Sequence, residues 1–128
     1  MHRFVFVLAL LSGCSFGSPG YSQADYEREA GAARRDLEAA IGEARAADAG
    51  SCRMLSLGDR PCGGPAYFLA YSVTDSDSVQ VATLAGRIAE IDRRANLALG
   101  LVSTCELRVP PPVELRGGRC QSEVRTAD

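Results

Sequence analysis

Four cysteines, Cys52, Cys62, Cys105 and Cys120, are spread along the second part of a 128-residue chain, and their chemistry decides what it can fold into. A domain of this size has a small core and gains much from covalent staples. Two disulfides or one zinc ion could supply them. No two of these cysteines have the close spacing of a zinc knuckle, which weighs against the metal. The remaining question is the redox compartment, and the N-terminus bears on it.

His2 and Arg3 make a short basic start, Phe4 to Leu11 is an apolar run, and Ser12-Gly13 precede a fifth cysteine, Cys14. Eight apolar residues in a helix reach about 12 Å, well short of the roughly 30 Å hydrocarbon core of a bilayer. The run therefore reads as an export signal, residues 1–13, and not as a membrane span. Leu11-Ser12-Gly13-Cys14 resembles the lipobox of bacterial lipoproteins. That resemblance implies a lipid on the Cys14 sulfur, cleavage before Cys14 and acylation of the new amine, which together would hold the chain on its bilayer. Ser15 stands where lipoproteins kept in the inner membrane usually carry Asp, so the resemblance favours the outer membrane. An exported chain with Cys14 lipidated keeps an even number of thiols, which reads as two disulfides.

The side chains that are missing exclude much chemistry. The only histidine is His2, inside the expected signal, and lysine and tryptophan are absent. A mature chain without His has no ordinary Ser-His or Cys-His nucleophile pair and no neutral-pH proton shuttle. Without Lys it has no Schiff base and no P-loop lysine. All 14 basic residues are arginine against 16 acids, and a formal charge of −2 lacks the footprint of a nucleic-acid binder. Carboxylate or tyrosine chemistry alone stays open, and no two acids fall in an obvious cleft segment. No catalytic residue, metal ligand or cofactor is assigned.

Residues 14–21 are rich in Gly, Ser and Pro and read as a tether. Residues 22–49 switch to Ala, Arg and Glu. Ser22 with Asp25 approximates a capping box, and Gly50 is placed to end a helix. Tyr26, Ala30, Ala33, Leu37, Ala40, Ala44 and Ala47 form a heptad stripe, mostly of alanine. Such a helix could pack on the domain, act as a spacer, or associate with itself. Asp77 with Gln80 opens a second helix that runs to Leu99, with Gly100 as its stop. Val81, Leu84, Ala85, Ile88, Ile91, Ala95 and Leu99 share its apolar face. Arg87, Glu90, Arg93 and Arg94 lie outside it, with Glu90 placed to pair with Arg94.

Cys52–Leu57 is a short strand. Gly58-Asp59-Arg60-Pro61 and Cys62-Gly63-Gly64-Pro65 are turns. Ala66–Val73 is apolar at nearly every position and reads as a central strand. The segment Cys62–Ser72 is similar to one in small exported bacterial proteins of unassigned activity, and implies no function. In the tail, Cys105, Leu107 and Val109 alternate with Thr104, Glu106 and Arg108. Val113 and Leu115, then Cys120, Ser122 and Val124, continue the pattern. With Pro110–Pro112 and Gly117-Gly118 as turns, this is a three-strand meander, with Glu106 opposite Arg116 and Arg108 opposite Glu114. The outer strands of a meander lie about 10 Å apart, too far for the roughly 7 Å limit of a disulfide. Cys105 is therefore not expected to pair with Cys120, and each should join Cys52 or Cys62.

The weaker candidates have structural readings beside the functional ones. Asp75, Ser76 and Asp77 suggest calcium but lack EF-hand spacing, so capping explains them better. Gly63-Gly64 could form an anion nest, or only a tight turn. Pro110–Pro112 could be a polyproline ligand, or a connection. Tyr67, Phe68 and Tyr71 fit the core. Arg116 and Arg119 flank one turn and could contact an anion or a partner. The expected fold of residues 50–128 is α+β: a sheet of about five strands on one core helix, stapled by two disulfides and preceded by the Ala-rich helix. The expected function is a membrane-anchored, non-catalytic binding module for an envelope partner. A structural lipoprotein, with the Ala-rich helix as spacer or oligomerisation element, and an inhibitor of a secreted hydrolase are the alternatives.

Overall fold

Ser22 starts the first helix through a reciprocal cap. Its Oγ accepts from Asp25 N–H at 3.2 Å, while Ser22 N–H donates to Asp25 Oδ2 at 3.1 Å. The computed structural model describes residues 20–122, so the expected signal peptide, Cys14, most of the tether and Val124 lie outside the described residues. Helix α1 spans Gln23–Ile41. It stops well before the expected Gly50 because Gly42 leaves the helical region at φ 61°. The chain then bends through Ala44, itself at φ 51°. Two backbone hydrogen bonds reward that bend: Cys120 N–H to Ala44 O at 2.8 Å and Ala46 N–H to Gly118 O at 3.0 Å. Tertiary contact thus overrides an alanine-rich sequence that would otherwise continue the helix. Gly50 falls in a single 3-10 turn, Ala49–Ser51.

Strands β1 (Cys52–Leu57) and β2 (Tyr67–Ser72) form an antiparallel hairpin with Cys52 opposite Ser72 and Leu57 opposite Tyr67. Helix α2 (Ser78–Ala98) follows, capped by Asp77 Oδ1, which accepts from Val79 N–H at 2.9 Å and Gln80 N–H at 3.1 Å. Val81, Ile88, Ile91 and Ala95 are buried on its inner face, with Leu84 and Ala85 half-buried. That face meets Ala30, Ala33, Leu37 and Ile41 of α1, so the alanine stripe packs on the domain and belongs to the same core. Fully burying a side chain such as Leu37, Leu57 or Ile88 is worth roughly 1.5–3 kcal/mol. Small alanines between these positions allow the two helices to approach closely. Arg94 reaches across to Glu29, while Glu90 pairs with Arg93, not with Arg94 as expected.

The tail departs from the meander. Strands β3 (Val113–Arg116) and β4 (Arg119–Ser122) pair over the Gly117-Gly118 turn, both glycines at positive φ. Residues 104–109, however, lie in no strand. The expected pairs Glu106–Arg116 and Arg108–Glu114 do not form; Arg116 bonds Glu114 on its own strand at 2.7 Å. The expected five-strand sheet is replaced by two separate two-stranded hairpins, so Ala66–Val73 is not a central strand. Cys52–Cys120, with Cα atoms 5.3 Å apart, joins the hairpins, and an isolated bridge between Arg45 and Arg119 ties β4 to the bend after α1. Cys62–Cys105 is the second disulfide, Cα atoms 5.2 Å apart. The avoided Cys105–Cys120 pairing is what the tail reading required, although the meander it rested on is absent.

Candidate functional site

After Gly100 the chain runs from residue 101 to 112 with no turn, bend or positive φ. We call this segment the strap. Its ends are set locally. Leu101 N–H bonds Asn96 O at 3.1 Å as α2 finishes, and Pro110–Pro112 fix φ while removing backbone donors.

Arg60 holds the middle. Its Nη1 donates to Glu106 O at 2.9 Å, and its Nη2 donates to Thr104 O and, at 3.2 Å, to Thr104 Oγ1. One guanidinium can reach the carbonyls of residues 104 and 106 because they share an edge in extended backbone. Arg60 is only 8 % exposed and has no carboxylate partner among the described residues. Three further ties act beside it. Cys62–Cys105 is covalent, Cys62 N–H donates to Ser103 Oγ at 3.2 Å, and Arg108 Nη1 donates to Ala66 O at 2.7 Å.

Arg60 is held in turn by its own loop, residues 58–66. Arg60 N–H bonds Gly64 O at 3.0 Å and Gly63 N–H bonds Arg60 O at 2.8 Å. Gly63-Gly64 therefore serves as a tight turn under a disulfide, as the structural reading had it. The start of the loop rests on Asp92, a buried acid of α2. Asp92 Oδ1 accepts from Tyr26 Oη at 2.9 Å and Oδ2 accepts from Asp59 N–H at 3.0 Å, while Asn96 Nδ2 donates to Asp59 O at 2.8 Å. Gly58, at φ 75°, passes so close that a Cβ would sit 2.5 Å from Asp92 Oδ2. Burial, then the bond to Asp92, pushes the Tyr26 phenol above its ordinary value. Burial also raises that of Tyr67, whose ring lies 5.5 Å below the Arg34 guanidinium.

The strap exposes large apolar side chains beside the exposed Glu106 and Arg108. Val102 is 92 % exposed, Leu107 88 % and Val109 71 %, with Leu97 of α2 at 85 %. Isolated exposed apolar side chains are ordinary; several on one clamped, unpaired segment are not.

Arg116 and Arg119 are brought together across the β3–β4 turn, as the sequence suggested. Each already has a carboxylate, Glu114 and Glu43 respectively, both at 2.7 Å. Arg45 and Arg119 hold the Glu43 carboxyl below its usual range. An added anion would have to compete with these acids. Asp77 caps α2, and Asp75 Oδ2 accepts from Arg45 N–H at 2.9 Å, so both are used structurally. Pro110–Pro112 join the strap to β3 and turn no hairpin. Tyr67, Phe68 and Tyr71 are half-buried in β2.

Sequence reasoning missed Arg60 and Asp92. Asp92 carried a signal, since it follows Ile88 by four residues and so falls on the apolar face. Arg60 sits between turn residues and carried none. Among the described residues no group of His, Cys, Asp and Glu could hold a metal ion, and no helix is long and apolar enough to cross a membrane. The chain matches no protein-family model, no curated protein and no solved structure.

Proposed function

We propose that this chain is an exported bacterial lipoprotein, anchored through Cys14, whose domain is a non-catalytic binding module that presents the strap to a partner protein in the envelope. The observation that carries this reading is the clamped strap. A segment with exposed Val102, Leu107 and Val109 is held extended by a buried arginine and a disulfide, where pairing with β3 would have covered it. Preorganising an extended segment removes most of the ordering cost of binding. Two disulfides suit an oxidising, exported setting, which agrees with the lipobox-like start.

The test is in two arms in an exporting bacterium. Full-length protein should label with fatty acid and pellet with membranes, and Cys14→Ala should release it. A photo-crosslinker in place of Val102 should give a discrete protein adduct that Leu107→Asp abolishes while the fold persists. A strap that gives no adduct in any membrane fraction would refute the module.

One feature also favours inhibition of a secreted peptide hydrolase. Arg60 grips the carbonyls on both sides of Cys105, fixing the kind of extended backbone that a peptide-cleaving cleft accepts. Loss of hydrolase activity on titration with the protein would support that form. The alternative of α1 as an oligomerisation element is disfavoured, because its apolar stripe is already covered by α2.

A further inference from the structure

We infer that the occupant of the strap is a second copy of the chain, paired with the first strap as an antiparallel two-stranded ribbon centred on Leu107. This rests on the reading of the strap as a binding surface and names its partner.

Strand edges decide the register. In extended backbone the N–H and C=O groups of successive residues point to opposite edges, so those of residues i and i+2 share one. Arg60 takes the carbonyls of Thr104 and Glu106, so the even-numbered edge faces the body. Cys105, Leu107 and Val109 then direct their backbone groups outward. Among the described residues none of these groups has a hydrogen-bond partner. An exposed edge of this kind is a template for another strand.

Two identical straps related by a two-fold axis must pair through that odd-numbered edge. Centring the axis on Leu107 places Leu107 opposite itself and Cys105 opposite Val109, each pair exchanging two N–H···O bonds. The same register sets Glu106 of one copy opposite Arg108 of the other, twice. Neither side chain has an ion pair among the described residues. Centring on Cys105 puts Glu106 opposite Thr104 and leaves the charges unmatched. Centring on Val109 puts Pro111, without an N–H, opposite Leu107. Registers that join odd to even positions need the edge that Arg60 covers. The ladder also ends itself, because Ser103 would face Pro111.

The resulting ribbon has two different faces. Leu107 and Val109, now the most exposed apolar side chains of that face, cluster with their symmetry mates. Opposed charges line the other face, a favourable cross-strand arrangement. A ribbon this short buries less than the ~800 Å² per partner of a standard stable interface. Pairing is therefore expected for chains concentrated on a surface, where effective concentration is high.

The experiment uses the full-length chain in an exporting bacterium, with p-benzoylphenylalanine in place of Val102, just outside the ladder. Irradiation should yield a covalent dimer whose joined peptides both contain residues 101–112. Glu106→Arg or Arg108→Glu alone should lower the dimer yield by about tenfold, because two like-charge pairs replace two favourable ones. The double variant E106R/R108E should restore it, which a merely structural role for either residue would not. An adduct with another protein and no dimer would overturn self-pairing but keep the binding module. No adduct at all would overturn both. A dimer insensitive to the single charge changes, or not rescued by the double one, would overturn the register.

Discussion

Removing the Cys52–Cys120 bridge should cost this domain much of its stability and free the β3–β4 hairpin. The two disulfides are nested, so the outer one does not close the full 68-residue separation between its ends. With Cys62–Cys105 intact, it closes only the two flanking arms, a loop of about 26 residues. The chain-entropy relation assigns such a loop about 3.5 kcal/mol. Both sulfurs are also buried, so C52A/C120A leaves a cavity as well. Against a typical domain stability of roughly 5–15 kcal/mol, the loss is large. Little else holds the second hairpin: the Arg45–Arg119 bridge with its two backbone bonds, the Arg119–Glu43 ion pair, and side-chain packing. Urea unfolding of C52A/C120A, with the inner disulfide kept oxidised, should show a drop of 3 kcal/mol or more on this scale, with fast amide exchange in residues 113–122. A drop below about 1 kcal/mol would mean that packing alone seats the hairpin.

Three further outcomes are expected. Asp92→Asn keeps one acceptor where Tyr26 Oη and Asp59 N–H both donate, so thermal unfolding should show a loss of about 1–3 kcal/mol; an unchanged midpoint would remove Asp92 from its central place. Tyr26 and Tyr67 titrate above the ordinary phenol value of 10.0, so their neutral forms stabilise the fold fully below pH 10 and that stability fades as pH rises beyond it. Alkaline unfolding should therefore weaken in Tyr26→Phe, and an identical pH profile would contradict the assignment. Ser22→Ala removes the N-cap and should lower stability by about 1 kcal/mol, read from the unfolding midpoint.

What was legible in the sequence was local. The Ser22 and Asp77 caps, the α2 face from Val81 to Ala95 and the Gly117-Gly118 turn each depend on neighbours within a few residues, and each is where the pattern placed it. The alternation over 104–109 points to the first strand of a meander, but no strand forms there. A period of two says that a chain is extended but not what its hydrogen bonds meet, and here the Arg60 side chain supplies bonds that a neighbouring strand would have made. The end of α1 failed for a related reason. Alanines 44 and 47 continue the heptad stripe, yet the bend at Gly42 is rewarded by bonds to Gly118 and Cys120, some seventy residues away. Arg60 and Asp92 act through such distant partners too, so the candidate site was largely hidden from a reading by neighbours.

Binding through the strap as proposed requires the segment to be rigid before anything meets it. Amide ¹⁵N relaxation of residues 104–109 in the native chain measures that directly. Order parameters near 0.85, the value of rigid backbone, are predicted for the native chain, falling below about 0.6 in Arg60→Met. Values below about 0.6 in the native chain would show a floppy tail and contradict the account.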